Sequence, residues 1–111
     1  MDSANRPLDL LEETIRQRAG GSGESSYTAK LLAGGVAKIG PKVTEEAAEV
    51  VEAASEPGDA GRSHFIYEAG DVLYHLMVLM RWRGVELSEV EAELARRFGQ
   101  SGLAEKAARK Q

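Results

Sequence analysis

Apolar residues recur along this chain at every third or fourth position, the spacing that gives a helix one apolar face. Residues 8–19 show this spacing first, and Pro7 suits the first turn of a helix there. Residues 28–33 form a shorter segment that is followed by Gly34 and Gly35. No segment alternates convincingly between apolar and polar residues, so the pattern predicts helices and no strand.

The next segment, residues 36–55, carries the most regular apolar stripe. Its members share one helical face: Val36, Ile39, Val43, Ala47, Val50 and Ala54. Pro41 lies inside this segment and cannot donate a backbone hydrogen bond to the carbonyl of Ala37. Two outcomes are open: the helix kinks at Pro41, or one helix ends at Gly40 and another begins at Pro41.

A turn is predicted at residues 56–61, and the helix after it, residues 63–83, is apolar on nearly all sides. Such a helix is normally buried on most of its surface. One small chain cannot cover it alone, so we expect a homodimer. Ser88 and Glu91 have the spacing of a capping box for a last helix at residues 89–98.

These elements predict an all-α fold: a small helical bundle of four to five helices whose core is completed by homodimerisation. A length of 111 residues indicates a single domain, which we expect to span residues 1–111. We expect residues 1–7 and 104–111 to be flexible ends. The segment 20–26, rich in glycine and serine, is typical of a flexible connector, with a lid or a phosphate-contacting loop as the alternative.

Composition narrows the class of protein. The apolar share of 42% and the charged share of 29% are those of a soluble globular domain. A net charge of −4 does not favour a nucleic-acid partner. The first residues lack the apolar core of a signal peptide, and the apolar stretch 72–80 is too short to cross a membrane. Cysteine is absent, which excludes disulfides and zinc–thiolate sites and agrees with a cytoplasmic location.

Two pairs of acidic residues carry the candidate chemistry. Glu46 and Glu49 lie three positions apart on the third predicted helix, and Glu68 and Asp71 have the same spacing on the fourth. Glu68 lies among apolar residues, where a carboxylate loses hydration and needs a compensating cation. Two antiparallel helices packed on their apolar faces bring both pairs together. Oxygen ligands without any cysteine point to a hard divalent ion such as Mg²⁺.

Five charged residues fall in one sector of the third predicted helix: Lys38, Lys42, Glu45, Glu46 and Glu49. The alternative interpretation is a solvent-exposed face with ion pairs between residues four apart. That alternative does not explain Glu68, because carboxylates are rarely buried without a partner. His75 lies in an apolar stretch, and it fits a hydrogen-bonded core histidine better than a metal ligand.

The acidic residues also match a family motif. The pattern E-E-x-x-E, followed after a turn by E-x-x-D, resembles the signature of the all-α nucleotide pyrophosphatases, the MazG-like superfamily. Here it is Glu45-Glu46-Ala47-Ala48-Glu49 and Glu68-Ala69-Gly70-Asp71. Within that superfamily the chain resembles the phosphoribosyl-ATP pyrophosphatases of histidine biosynthesis. The supporting segments are residues 26–32, Lys38-Ile39 with Lys42-Val43, and residues 67–76. The resemblance extends over residues 8–98.

The resemblance implies hydrolysis of phosphoribosyl-ATP to phosphoribosyl-AMP and pyrophosphate. It implies Mg²⁺ bound by four carboxylates, those of Glu46, Glu49, Glu68 and Asp71. The implied catalytic residues are Glu45, Glu46 and Glu49, with Glu45 as an added ligand or as a base near the attacking water. The implied phosphate contacts are Lys30, Lys38 and Lys42. A separate phosphoribosyl-AMP cyclohydrolase would act on the product.

Two other functions remain open at the level of sequence. One is a housekeeping pyrophosphatase for nucleoside triphosphates, with the same acids and a different base pocket. The other is a helical dimerisation module without catalysis. An acid predicted to be buried, Glu68, argues against the second, because a pure interface has no use for it.

Overall fold

The computed structural model describes residues 6–21 and 26–98, and in those ranges the chain forms five helices and no strand. They are α1 (Pro7–Ala19), α2 (Tyr27–Gly34), α3 (Val36–Ala54), α4 (Gly58–Arg83) and α5 (Leu87–Arg97). The all-α prediction is therefore confirmed. The expectations for residues 1–5, 22–25 and 104–111 fall outside the described residues. No helix in the described ranges is long and apolar enough to cross a membrane.

Residues at the helix ends explain why the first two helices begin and end where they do. Pro7 occupies the first turn of α1, where its missing N–H costs nothing. Ser26 caps α2, because its hydroxyl oxygen accepts a hydrogen bond from the backbone N–H of Ala29 at 3.0 Å. Gly35 separates α2 from α3 with a φ of 67°, a conformation that favours glycine.

Helix α3 runs without interruption from Val36 to Ala54, with Pro41 inside it. Of the two outcomes left open, the break at Gly40 is thus wrong. Ile39 is fully buried and Val43 packs against the same core one turn later. Both residues belong to one continuous apolar stripe. Packing of this stripe against the core stabilises the helix on either side of Pro41, where one backbone hydrogen bond is missing.

Helix α4 begins at Gly58, five residues before the predicted start at residue 63. The predicted turn at residues 56–61 is too long, because residues 58–61 already belong to the helix. Glycine and proline suggested a loop there, but Gly61 is buried against Glu56 in the connection that follows α3. A Cβ atom at residue 61 would lie 2.3 Å from the carbonyl oxygen of Glu56, so close packing explains this glycine.

The capping box of α5 is formed by different residues from those predicted. Glu86 and Glu89 form it, and Ser88 and Glu91 do not. The backbone N–H of Glu86 donates to Oε2 of Glu89 at 2.9 Å. Burial of Leu87 places the helix start two positions earlier than predicted, and Glu91 is paired with Arg6 at 2.9 Å instead.

Helices α3 and α4 are joined by three residues, and they form a hairpin against which α1 and α2 pack. The core cluster draws from all five helices: Ile15, Leu31, Ile39, Met77, Val78 and Leu87. Within one chain α4 is not buried on most sides, in agreement with the expectation that one small chain cannot cover it. Five large apolar or aromatic side chains in its central part are exposed, namely Phe65, Ile66, Tyr67, Leu73 and Leu76.

Candidate metal-binding site

Three carboxylates converge between the two helices of the hairpin. Glu46 reaches the site from α3, and Glu68 and Asp71 reach it from α4. One carboxylate oxygen of each lies within 4.8 Å of the other two. Glu68 is 8% exposed and the other two are partly buried. Glu46 thus lies close to Glu68 and Asp71 across the two helices, as the packing of the apolar faces predicted.

Glu49, the fourth predicted ligand, is exposed and lies outside this group of three. Its carboxyl group still reaches Glu68, and the hydrogen bond between them raises the pKa of Glu49. Glu45 is exposed as well, and its charge contributes to the same rise. Both residues therefore lie at the solvent side of the cluster.

Among the described residues no lysine or arginine pairs with the three central acids, and His64 contacts only Glu68 of the three. Oε2 of Glu46 and Oε2 of Glu68 are buried, and neither finds a hydrogen-bond partner among the described residues. Burial, a hydrogen bond with Glu68 and repulsion from the neighbouring acids raise the pKa of Glu46 to about 7. Burial also acts to raise the pKa of Glu68, but hydrogen bonds from Glu46, Glu49 and His64 outweigh it and lower that pKa.

This arrangement fits a hard divalent cation. Buried carboxylate oxygens without a donor are costly alone and become favourable ligands when a cation replaces the missing donors. All the converging groups offer oxygen, the donor that Mg²⁺ and Ca²⁺ prefer. Without such an ion, the raised pKa of Glu46 leaves this carboxyl group only partly ionised near neutral pH.

His64 belongs to the site although the sequence did not single it out. Its Nδ1 lies 2.9 Å from Oε1 of Glu56, and its Nε2 lies 3.2 Å from Oε1 of Glu68. The hydrogen bond with Glu56 is the main reason why the pKa of His64 is raised. The spacing of four residues between His64 and Glu68 was visible in the sequence, whereas the contact with Glu56 depends on how the connection between α3 and α4 folds.

His75 is a hydrogen-bonded core histidine, as predicted. Its Nδ1–H donates to the carbonyl of Asp71 at 3.1 Å, so in the neutral ring Nε2 accepts from the hydroxyl of Tyr27 at 3.0 Å. The ring is 6% exposed. This chain of hydrogen bonds ties α2 to the turn of α4 that carries Asp71.

The three predicted phosphate-binding lysines differ in their surroundings. Lys42 is partly buried and close enough to Tyr27 for its charge to lower the pKa of that hydroxyl, although burial raises this pKa by more. Lys42 also lies one turn before Glu46 on α3, on the same side of the helix. Lys30 and Lys38 are exposed. In the described part of the chain none of the three forms an ion pair, which disfavours the interpretation of α3 as a face held by such pairs.

Fold and site together define a class: an all-α protein whose central hairpin gathers carboxylates suited to a divalent cation. Comparison with known proteins specifies it further. The chain belongs to the phosphoribosyl-ATP pyrophosphohydrolase family, whose model matches residues 8–98.

Individual relatives agree with this assignment. A phosphoribosyl-ATP pyrophosphatase of Rhodopirellula baltica is 63% identical over 103 residues, which cover 93% of this chain and 86% of the relative. One from Methylobacterium nodulans is 53% identical, with 90% and 91% covered. One from Trichlorobacter lovleyi is 50% identical over the whole length of both chains.

Proposed function

We propose that this protein hydrolyses phosphoribosyl-ATP to phosphoribosyl-AMP and pyrophosphate, the second step of histidine biosynthesis. Water adds to the α-phosphorus, the bond to the oxygen bridging the α- and β-phosphorus atoms breaks, and pyrophosphate leaves. The observation that carries the proposal is the cluster of Glu46, Glu68 and Asp71 in a chain of this family. Three converging acids, none of which pairs with a lysine or arginine in the described part of the chain, are suited to a metal-assisted reaction on a triphosphate.

The proposed cofactor is Mg²⁺, held by Glu46, Glu68 and Asp71, with Glu49 approaching from the next turn of α3. When bound, the ion neutralises phosphate charge and makes the phosphorus more electrophilic. The two donor-free oxygens of Glu46 and Glu68 support these residues as inner ligands. Exposed Glu49 completes the set only if its side chain turns inward by rotation, which its position near Glu68 allows.

The remaining charged residues surround this centre. Glu45 and Glu49, on the solvent side, are placed to accept a proton from the attacking water. Lys42 is the best-supported phosphate contact, because it is partly buried one turn before Glu46 and forms no ion pair with a described carboxylate. Lys30 and Lys38 are exposed, and we assign them to the outer phosphates or the ribose phosphate as mobile point charges.

A homodimer is part of the proposal. Ile66, Leu73 and Leu76 repeat at helical spacing and form an exposed apolar stripe on α4, which a second copy of the same helix would cover. The setting is the cytoplasm, where a separate phosphoribosyl-AMP cyclohydrolase would take the product.

One assay tests this function. Pyrophosphate release is measured from phosphoribosyl-ATP and from a panel of nucleoside triphosphates, each with Mg²⁺ and with a chelator. We expect phosphoribosyl-ATP to be preferred by kcat/KM and activity to vanish with the chelator. A preference for ordinary nucleoside triphosphates would instead identify a housekeeping pyrophosphatase.

A further inference from the structure

The two carboxylate oxygens of Glu68 have different surroundings. Oε1 lies 3.2 Å from Nε2 of His64, whereas Oε2 is buried with no partner among the described residues. Glu68 itself is more than nine-tenths buried, at 8% exposure. One oxygen is therefore held by the protein, and the other is left for a ligand.

His64 is held in turn from the opposite side. Its Nδ1 lies 2.9 and 3.1 Å from the two oxygens of Glu56, so the imidazole spans two carboxylates. Glu56 lies in the short connection between α3 and α4, and its backbone N–H donates to the carbonyl of Ala53 at 3.1 Å. The close approach of Gly61 to the Glu56 backbone fixes this connection further.

From this geometry we infer that His64 is a positioning residue, anchored on Glu56, that turns Oε2 of Glu68 toward the cation of the proposed site. A glutamate has three side-chain torsions, and a cation must otherwise order them itself on binding. A second group that orients a ligating carboxylate removes that cost before the ion arrives. His64 acts through Glu68 only, and it touches neither the cation nor the substrate.

This inference rests on the proposed metal site, and its test separates the two. Two substitutions of His64 each keep one of the two contacts that the imidazole makes. The amide nitrogen of His64→Gln stands where Nε2 stands and can still donate to Glu68. The amide of His64→Asn stands where Nδ1 stands, so it reaches Glu56 but not Glu68.

The probe is Mn²⁺, titrated into each purified protein without substrate, with the free ion measured by electron paramagnetic resonance. We expect His64→Asn to weaken Mn²⁺ binding about tenfold and His64→Gln to weaken it less than about threefold. With substrate, the Mg²⁺ concentration for half-maximal rate should rise in His64→Asn, while kcat at saturating Mg²⁺ stays near that of the wild type.

A second pair of substitutions tests the anchor. Glu56→Ala should weaken Mn²⁺ binding by a smaller factor than His64→Asn. Glu52→Ala, which removes the same charge from an exposed position of α3, should leave binding unchanged. Thermal melts verify that all variants are folded.

The outcomes are distinct. If wild-type protein fails to bind Mn²⁺, the proposed metal site is wrong and the inference falls with it. If wild-type protein binds Mn²⁺ and folded His64→Asn binds it equally well, only the role of His64 is overturned. Equal losses of Mn²⁺ affinity in Glu56→Ala and Glu52→Ala would refute the role of Glu56 as the anchor of His64, because they would show that only the net charge matters.

Discussion

At the scale of single residues, the site depends on acids whose buried oxygens the protein satisfies only in part. Glu68 is the deepest of them, and it connects Glu46, Glu49 and His64. Carboxylates in such positions cost stability when they are alone and bind cations when they converge. Glu68 should therefore contribute little to the free energy of unfolding, whereas activity should depend on it.

Replacing Glu68 by Gln tests this. The amide keeps the shape of the side chain but removes its charge, so it is a much poorer ligand for a cation. Divalent-ion binding should weaken, and kcat/KM for phosphoribosyl-ATP should fall by about two orders of magnitude or more. Calorimetric titration and steady-state kinetics measure both. Wild-type activity at limiting Mg²⁺ would rule out a ligand role for Glu68.

Lys42 gives a second test at this scale. It lies one turn before Glu46 on α3, near carboxylates that would repel a triphosphate. Lys42→Met keeps most of the aliphatic stem and removes the charge. We expect a higher KM, a lower kcat, or both, in a protein with an unchanged oligomeric state. Kinetics equal to wild type, with a slightly lower Tm, would mean that Lys42 serves only as a surface charge.

At the scale of elements, the site depends on how α3 and α4 are aligned. Gly35 sets where α3 begins, and its φ of 67° lets the chain turn there beside Trp82. The short connection after α3 then sets the register of α4 and so brings Glu68 opposite Glu46. Register matters because a shift of one residue on a helix rotates a side chain by about 100°.

Gly35→Ala should disturb this alignment. Its Cβ would lie 3.3 Å from Nε1 of Trp82, in a backbone conformation that side chains rarely adopt. We expect a loss of about 1–3 kcal/mol in the free energy of unfolding. Gly70→Ala is the matched control, since a Cβ there meets nothing within 4 Å. Chemical denaturation compares the two, and equal stabilities would contradict the strain argument.

At the scale of the whole molecule, the exposed apolar side of α4 is the main unexplained feature of one chain. Ile66 is 56% exposed and Leu73 is 43% exposed, in the middle of the longest helix. Side chains of this kind clustered on one face are typical of an interface between subunits. A homodimer would bury them, and it would bring two acidic sites into one molecule.

Light scattering at micromolar concentration should give twice the mass of the chain. Leu73→Lys places a charge in the proposed interface and should shift the protein toward monomer. Leu94→Lys, at a residue on α5 that is 47% exposed, is the control and should leave the dimer intact. A well-folded wild-type monomer would contradict the proposed dimer.

The sequence by itself determined the features that repeat locally. Apolar spacing predicted the helices, and Pro7 predicted the start of α1 correctly. The pairing of Glu46 with Glu68 and Asp71 also followed, because spacing fixes the face of a helix and apolar faces must meet.

Only the tertiary structure decided the rest. Continuity through Pro41 depends on core packing on both sides of it, and the early start of α4 depends on the fit of Gly61 against Glu56. The start of α5 was decided by the burial of Leu87, whose backbone N–H donates to Oε2 of Glu12 on α1 at 2.6 Å. The bridge from Glu56 through His64 to Glu68 arises in the same way. Each of these contacts is set by packing between elements, and a periodic pattern within one helix does not encode its distance or direction.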